Sequence, residues 1–171
     1  MTEIQRYEVI ESHPGFELRQ YADHTLVTKP MAGTMNSAAY SAFRYLVNYL
    51  GGQNQQNQQI AMTAPVLQRK SEHGFDVSFV MPHDMTEAPA PMGADMRVER
   101  VAGALMAAKR FSGSATDALF ERKAEKLLAD VEKAGFQAVS EIQYARYNGP
   151  WTPAFLRRNE VLVAVAPLSS P

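Results

Sequence analysis

The stretch SAAYSAFRYLVNYL, residues 37–50, sets Ala39, Phe43, Leu46, Val47 and Leu50 at i, i+4, i+7, i+8 and i+11. That spacing is one face of an α-helix. Asn36 or Ser37 can cap its start, and Gly51-Gly52 ends it by supplying a residue free to take positive φ. A second helix is expected over 115–134, with Leu119, Phe120, Ala124, Leu127, Val131 and Ala134 on its buried side. Ser114 and Asp117 form a capping-box pattern with Asp in place of Glu, and Gly135 stops the helix.

Working outward, segments rich in β-branched and aromatic residues flank each helix. Strands are expected at 7–11 and 16–21 around a Pro14-Gly15 turn, then at 25–31 leading to the first helix. Two more, 60–68 and 75–81, follow that helix on either side of a charged turn. In the second half, 97–101 and 105–111 precede the second helix, and 136–147 and 161–165 follow it. The order strand–helix–strand–strand therefore occurs twice. Such units build an antiparallel sheet with helices packed on it, or a strongly curved, barrel-like version. The polar loop GQNQQNQQ, residues 52–59, reads as a mobile surface connection, and 83–95 as an irregular excursion with Pro89, Pro91 and Gly93. The tail 167–171 reads as frayed, which leaves an ordered core of about 5–166 in a single domain over 1–171.

The chain has 171 residues, 46% of them hydrophobic, which is enough for one domain with a sizeable core. It has no cysteine. Disulfides, thiolate ligation of zinc or heme iron, Fe–S clusters, covalent c-type heme and Cys nucleophiles are thereby excluded. The polar start, residues 1–6, lacks a basic n-region followed by an apolar h-region, and no apolar run approaches a membrane span. A cytoplasmic protein is the expectation. Seventeen basic residues against eighteen acidic give no electrostatic reason to expect nucleic acid or an anionic membrane as partner.

Catalytic signatures are absent: no G-x-S-x-G elbow, no phosphate-cradling glycine loop and no HExxH. The histidines His13, His24, His73 and His83 fall in turns, and none pairs with another ligand at metal spacing, so no metal site is expected. His24 and His83 are the ones to test as ligands. The segment 144–160 is richer. Asn148-Gly149-Pro150 is turn chemistry presenting Trp151, the sole tryptophan, whose indole can stack on a planar ligand or pack in the core. Arg157 and Arg158 can offer forked donors to a carboxylate, or Arg158 can pair with Glu160 and order the strand crossover.

Four further stretches carry a resemblance. They are Ile60-Ala61-Met62-Thr63-Ala64-Pro65-Val66, then Phe79-Val80-Met81-Pro82, then Arg110-Phe111-Ser112-Gly113. The fourth is Tyr147-Asn148-Gly149-Pro150-Trp151-Thr152-Pro153, closing with Arg157-Arg158-Asn159-Glu160-Val161. In order and spacing, from near Tyr7 to Val165, the chain resembles the SOUL/heme-binding-protein family. The resemblance implies an α+β fold: a distorted antiparallel, barrel-like sheet of two βαββ-type repeats with two packed helices. It also implies non-covalent binding of heme or another tetrapyrrole in a shallow apolar groove with cationic partners for the propionates, a carrier or buffer role.

The stretch matching that groove is 35–50 with the Gln-rich loop. Met35, Ala39, Phe43 and Leu46 are its candidate lining, or else ordinary core side chains; Arg44 is a candidate propionate partner, or else a solvated surface arginine. Trp151 and Arg157 complete the candidate binding set. One branch of the family reads Arg-His-Tyr where this chain has Arg19-Gln20-Tyr21, so its axial histidine is missing. Other members carry a Lys where this chain has Gln55-Gln56. The resemblance therefore implies a small-molecule ligand held with weak or absent iron ligation. The competing expectation, drawn from hydrolases of related fold, is a hydrolase or isomerase using Glu160 or Glu141 as a desolvated acid or base.

Overall fold

In the computed structural model, which describes residues 2–93 and 95–169, the chain divides into two compact units. One comprises Met1–Arg6 with Asp23–Ala102, the other Tyr7–Ala22 with Gly103–Pro171. In chain order the elements are β1 (Glu3–Ile4), β2 (Tyr7–His13), β3 (Phe16–Tyr21), β4 (His24–Ala32) and α1 (Met35–Leu50). There follow β5 (Thr63–Ala64), β6 (Val66–Ser71), β7 (Gly74–Val80), β8 (Arg97–Val101) and β9 (Leu105–Phe111). The last are α2 (Asp117–Lys133), β10 (Phe136–Ala138), β11 (Gln143–Arg146) and β12 (Asn159–Pro167).

In the first unit the antiparallel order is β6-β7-β4-β8, with α1 packed on β4 and β7. In the second it is β11-β12-β9-β3-β2, with β10 also on β12 and α2 packed against β9, β10 and β12. The same βαββ plan thus appears in each: the strand before the helix pairs with the second strand of the hairpin after it. Within neither unit do the outer strands pair with each other among the described residues, so each sheet is open rather than closed into a barrel.

The helices follow local rules. The Thr34 hydroxyl accepts from Ser37 N at 3.2 Å and caps α1 two or three residues earlier than Asn36 or Ser37 would. Thr116 caps α2 through Leu119 N at 3.2 Å, Asp117 and Lys133 complement the dipole at its two ends, and Gly135 leaves it at φ +90°. The buried residues of α2 are Phe120, Ala124, Leu127, Asp130 and Val131; of the expected face, Leu119 and Ala134 are half-buried. Those of α1 are Met35, Ala38, Ala42, Leu46, Tyr49 and Leu50. Ala38 and Ala42 are fully buried where the spacing placed Ala39 and Phe43, which are left half-buried and part-exposed at the edge of the packed face.

Three expectations need correction. The 60–68 segment is two strands, since Pro65 has no N–H to continue one. The 136–147 segment is also two, β10 and β11. The loop 52–59 is not a loose connection: Asn54 is fully buried, its amide donates to Tyr49 O and Gln58 O, and its Oδ1 accepts from Gln56 N and Gln58 N. Part of the excursion at 83–95 docks there too, with Tyr49 Oη donating to Pro89 O at 2.6 Å and Gln55 N to Ala90 O. Burial pushes the Tyr49 hydroxyl up to about 12, so it stays a donor. Of the tail, Ser170 and Pro171 lie outside the described residues.

Candidate functional site

The outer face of α1 forms in the first unit from residues left over once the helix has buried its other side. Met35 and Leu46 are fully buried, so two of the four expected lining residues belong to the core. Ala39 and Val47 are half-buried and Phe43 is 40% exposed, with its ring edge-on to Phe79 of β7 at 5.8 Å. Beside this stripe stands Tyr40, 84% exposed, then Arg44. Positions 39, 40, 43, 44 and 47 share one helical face. Tyr45 carries two cations over its ring, Lys29 Nζ at 4.7 Å and the Arg44 guanidinium at 5.2 Å. This is an apolar and aromatic strip with Arg44 beside it and Lys29, itself paired with Asp95 at 3.2 Å, at its margin, and it can take a flat hydrophobic ligand with an anionic group.

In the second unit a buried polar cluster gathers around Glu160 of β12. Arg19 of β3 reaches across β9 to make a forked pair, Nη1 to Oε1 at 2.7 Å and Nη2 to Oε2 at 2.8 Å. Arg158 donates from Nε and Nη2 to Oε2, and Tyr147 Oη to Oε1 at 3.0 Å. Arg19 also receives cover from the Tyr7 ring at 4.2 Å and donates to Tyr21 Oη at 2.8 Å. Arg158 lies 3.9 Å over the Tyr147 ring and donates to Tyr7 Oη at 2.8 Å. The alternative of an Arg158–Glu160 pair is therefore the arrangement observed.

The electrostatics of this cluster decide its chemistry. Burial pushes the Glu160 carboxyl up, but the hydrogen bonds and charges of Arg19 and then Arg158 outweigh it and hold it below the ordinary carboxylate range. Burial raises Tyr21 and Tyr147 above the ordinary phenol range. Glu160 is thus held ionised, and the Tyr21 and Tyr147 hydroxyls stay protonated, at neutral pH. Glu141 is exposed. Glu160 is therefore not the raised-pKa acid or base that the hydrolase expectation requires, and Glu141 is not desolvated.

The loop from β11 to β12 holds the remaining expected residues. Trp151 is exposed, with its ring against Gly149, where a Cβ would overlap it. Arg157 spends Nε on Thr152 O at 2.8 Å and Nη2 on Pro150 O at 3.0 Å, so it braces its own loop. Ala39, Phe43 and Arg44 come together on α1; Trp151 and Arg157 come together on this loop, in the other unit. Gln20 is exposed and donates to Tyr21 O. Among the described residues no group of three or more His, Asp or Glu can hold a metal ion. Tyr40 is not among the expected lining residues, because no core-facing pattern marks an exposed aromatic; the available signal is its place one residue after Ala39, beside Phe43 and Arg44.

The family model described as SOUL heme-binding protein matches residues 2–164. A search of curated protein sequences finds no match. Among solved structures, the C-terminal domain of EcmrR superposes with a TM-score of 0.66 at 13% identity, covering 95% of this chain and 99% of that one. An EcmrR–DNA complex gives 0.67 at 12% identity over 88% of this chain and 57% of that one. A hydrolase from Listeria innocua gives 0.58 at 9% identity over 96% and 94%. At such identities these likenesses concern the fold alone. No described helix is long and apolar enough to cross a membrane.

Proposed function

This chain belongs to the SOUL heme-binding protein family, and from that premise we propose that it binds heme or a related tetrapyrrole non-covalently on the outer face of α1, as a carrier or buffer. The observation that carries the reading is the conjunction of Tyr40 and Phe43, exposed and aromatic, with Arg44 on one helical face. The macrocycle lies across Tyr40, Phe43 and the half-buried Ala39 and Val47, and Arg44 takes a propionate. Met35 and Leu46 act from behind, fixing the helix. The reading places no protein ligand on the iron, in keeping with Gln20 at the position of the family's histidine. A cytoplasmic setting fits the cysteine-free sequence.

The alternative, a hydrolase in the same fold, needs a desolvated carboxylate near neutrality, and Glu160 is held ionised by two guanidiniums. Arg44→Glu tests the binding reading. Titrated with metal-free protoporphyrin and followed by Soret absorbance, it should bind about tenfold more weakly than wild type, since a charge-assisted pair becomes a repulsion. Tyr40→Ala with Phe43→Ala should weaken binding by a similar factor. Unchanged affinity in both would remove α1 as the site.

A further inference from the structure

Asn148 and Gly149 open the loop between β11 and β12. In an Asn-Gly pair the backbone nitrogen of the glycine can attack the side-chain amide of the asparagine, because no Cβ screens it. None of the other five asparagines, Asn36, Asn48, Asn54, Asn57 and Asn159, precedes a glycine. The structure readies both partners of that reaction. Asn148 is exposed, and its Oδ1 accepts from Arg158 N at 2.6 Å. This N–H draws electron density from the amide carbon and stands where negative charge gathers on Oδ1 during attack, as an oxyanion donor does. Gly149 O accepts from Thr152 N, but Gly149 N donates no hydrogen bond among the described residues, so the nucleophile is not spent elsewhere. The packing also holds the pair in place. A Cβ at Gly149 would overlap the Trp151 ring, and Asn148 supplies the acceptor that Arg158 N uses.

We propose that Asn148 is a site of spontaneous deamidation and isomerisation, and that its isoaspartyl product loosens the loop from the buried cluster around Glu160. Gly149 N bonds to Asn148 Cγ, the Cγ–Nδ2 bond breaks, and Nδ2 leaves as ammonia with the proton that Gly149 N gives up. Water then opens the succinimide. Addition at Cγ yields an aspartyl residue; addition at the main-chain carbonyl carbon yields an isoaspartyl residue, whose backbone runs through one extra methylene. An aspartyl carboxylate can still accept from Arg158 N, now with charge assistance. In the isoaspartyl form the former Oδ1 belongs to the backbone, and that acceptor is displaced. The displacement reaches the cluster because Arg158 and Tyr147 both hold Glu160, and Tyr147 N donates to Arg158 O at 3.1 Å. No residue of α1 takes part, so this site is independent of tetrapyrrole binding.

The full chain is aged in mildly alkaline buffer at physiological temperature, digested, and its peptides resolved by mass and by isoaspartyl methyltransferase labelling. Conversion at Asn148 should be about tenfold or more faster than at any other asparagine, within the effect of one oxyanion donor. Asn148→Gln should abolish it, since attack would have to close a larger ring. The isoaspartyl fraction of the aged chain should unfold at a lower denaturant midpoint and show altered emission from Trp151, the sole tryptophan. Freshly prepared Asn148→Asp, which carries the same charge on a normal backbone, should keep the midpoint and emission of the fresh wild type. An unconverted Asn148, equal conversion at other asparagines, or an isoaspartyl fraction as stable as the fresh chain would overturn the proposal. So would a loss of stability in Asn148→Asp equal to that of the isoaspartyl form, which would assign the effect to charge rather than to the backbone.

Discussion

Glu160→Ala should destabilise the protein by about 3–5 kcal/mol, the cost of breaking a buried ion pair by removing one partner. The carboxylate is fully buried and accepts from Arg19, Arg158 and Tyr147. Removing it leaves the Arg19 guanidinium, itself almost wholly buried, without its main counter-charge. Chemical denaturation should show the loss as a lower midpoint at unchanged slope. The pH dependence follows from the depressed carboxyl. Such a group contributes stability that is fully present above its ordinary value of 4.5 and is lost as pH falls through the lower folded value. The stability gap between wild type and Glu160→Gln should therefore be constant near neutrality and close in acid. A gap that widened in acid, or a loss under about 1 kcal/mol, would show that the cluster does not hold the second unit together.

Phe120→Ala should cost a comparable amount, about 3–5 kcal/mol, for a different reason. Phe120 is fully buried on α2, edge-on to Phe111 of β9 at 5.3 Å and to Tyr144 of β11 at 5.6 Å. Its truncation opens a cavity under the helix that neither strand can collapse into, and it forfeits both ring contacts. Phe120→Leu should recover most of the loss by refilling the space. If alanine and leucine were equally destabilising in denaturant titrations, the ring contacts rather than the volume would be dominant; if neither mattered, α2 would not be anchored there.

Much of the fold is legible in the residues because both helices are bounded by local chemistry. Phe120, Ala124, Leu127 and Val131 repeat at helical spacing between a capping threonine and a glycine, and the spacing alone identifies their face. On α1 the spacing places Ala39 and Phe43 inward, whereas the helix is turned so that Ala38 and Ala42 are buried. Smallness is a packing signal only once the partner sheet is known. Asn54 shows the opposite limit: in a run of Gln and Asn nothing in composition distinguishes the one amide that is buried and ties the loop to Tyr49. The Arg19–Glu160 pair was beyond reach for a third reason, since 141 residues separate its members and only the β3-β9-β12 order brings them together. The candidate site divided accordingly, with Ala39, Phe43 and Arg44 on the surface and Met35 and Leu46 in the core.

The most direct test of the account is a parallel titration of the wild-type chain with hemin and with metal-free protoporphyrin, followed by the Soret band. Saturable one-to-one binding of both with matched affinities, and no low-spin hemin spectrum, is the result that follows from a face of Tyr40, Phe43 and Arg44 with no iron ligand. Binding of hemin alone, with a low-spin spectrum abolished by His24→Ala or His83→Ala, would contradict it, as would no saturable binding of either.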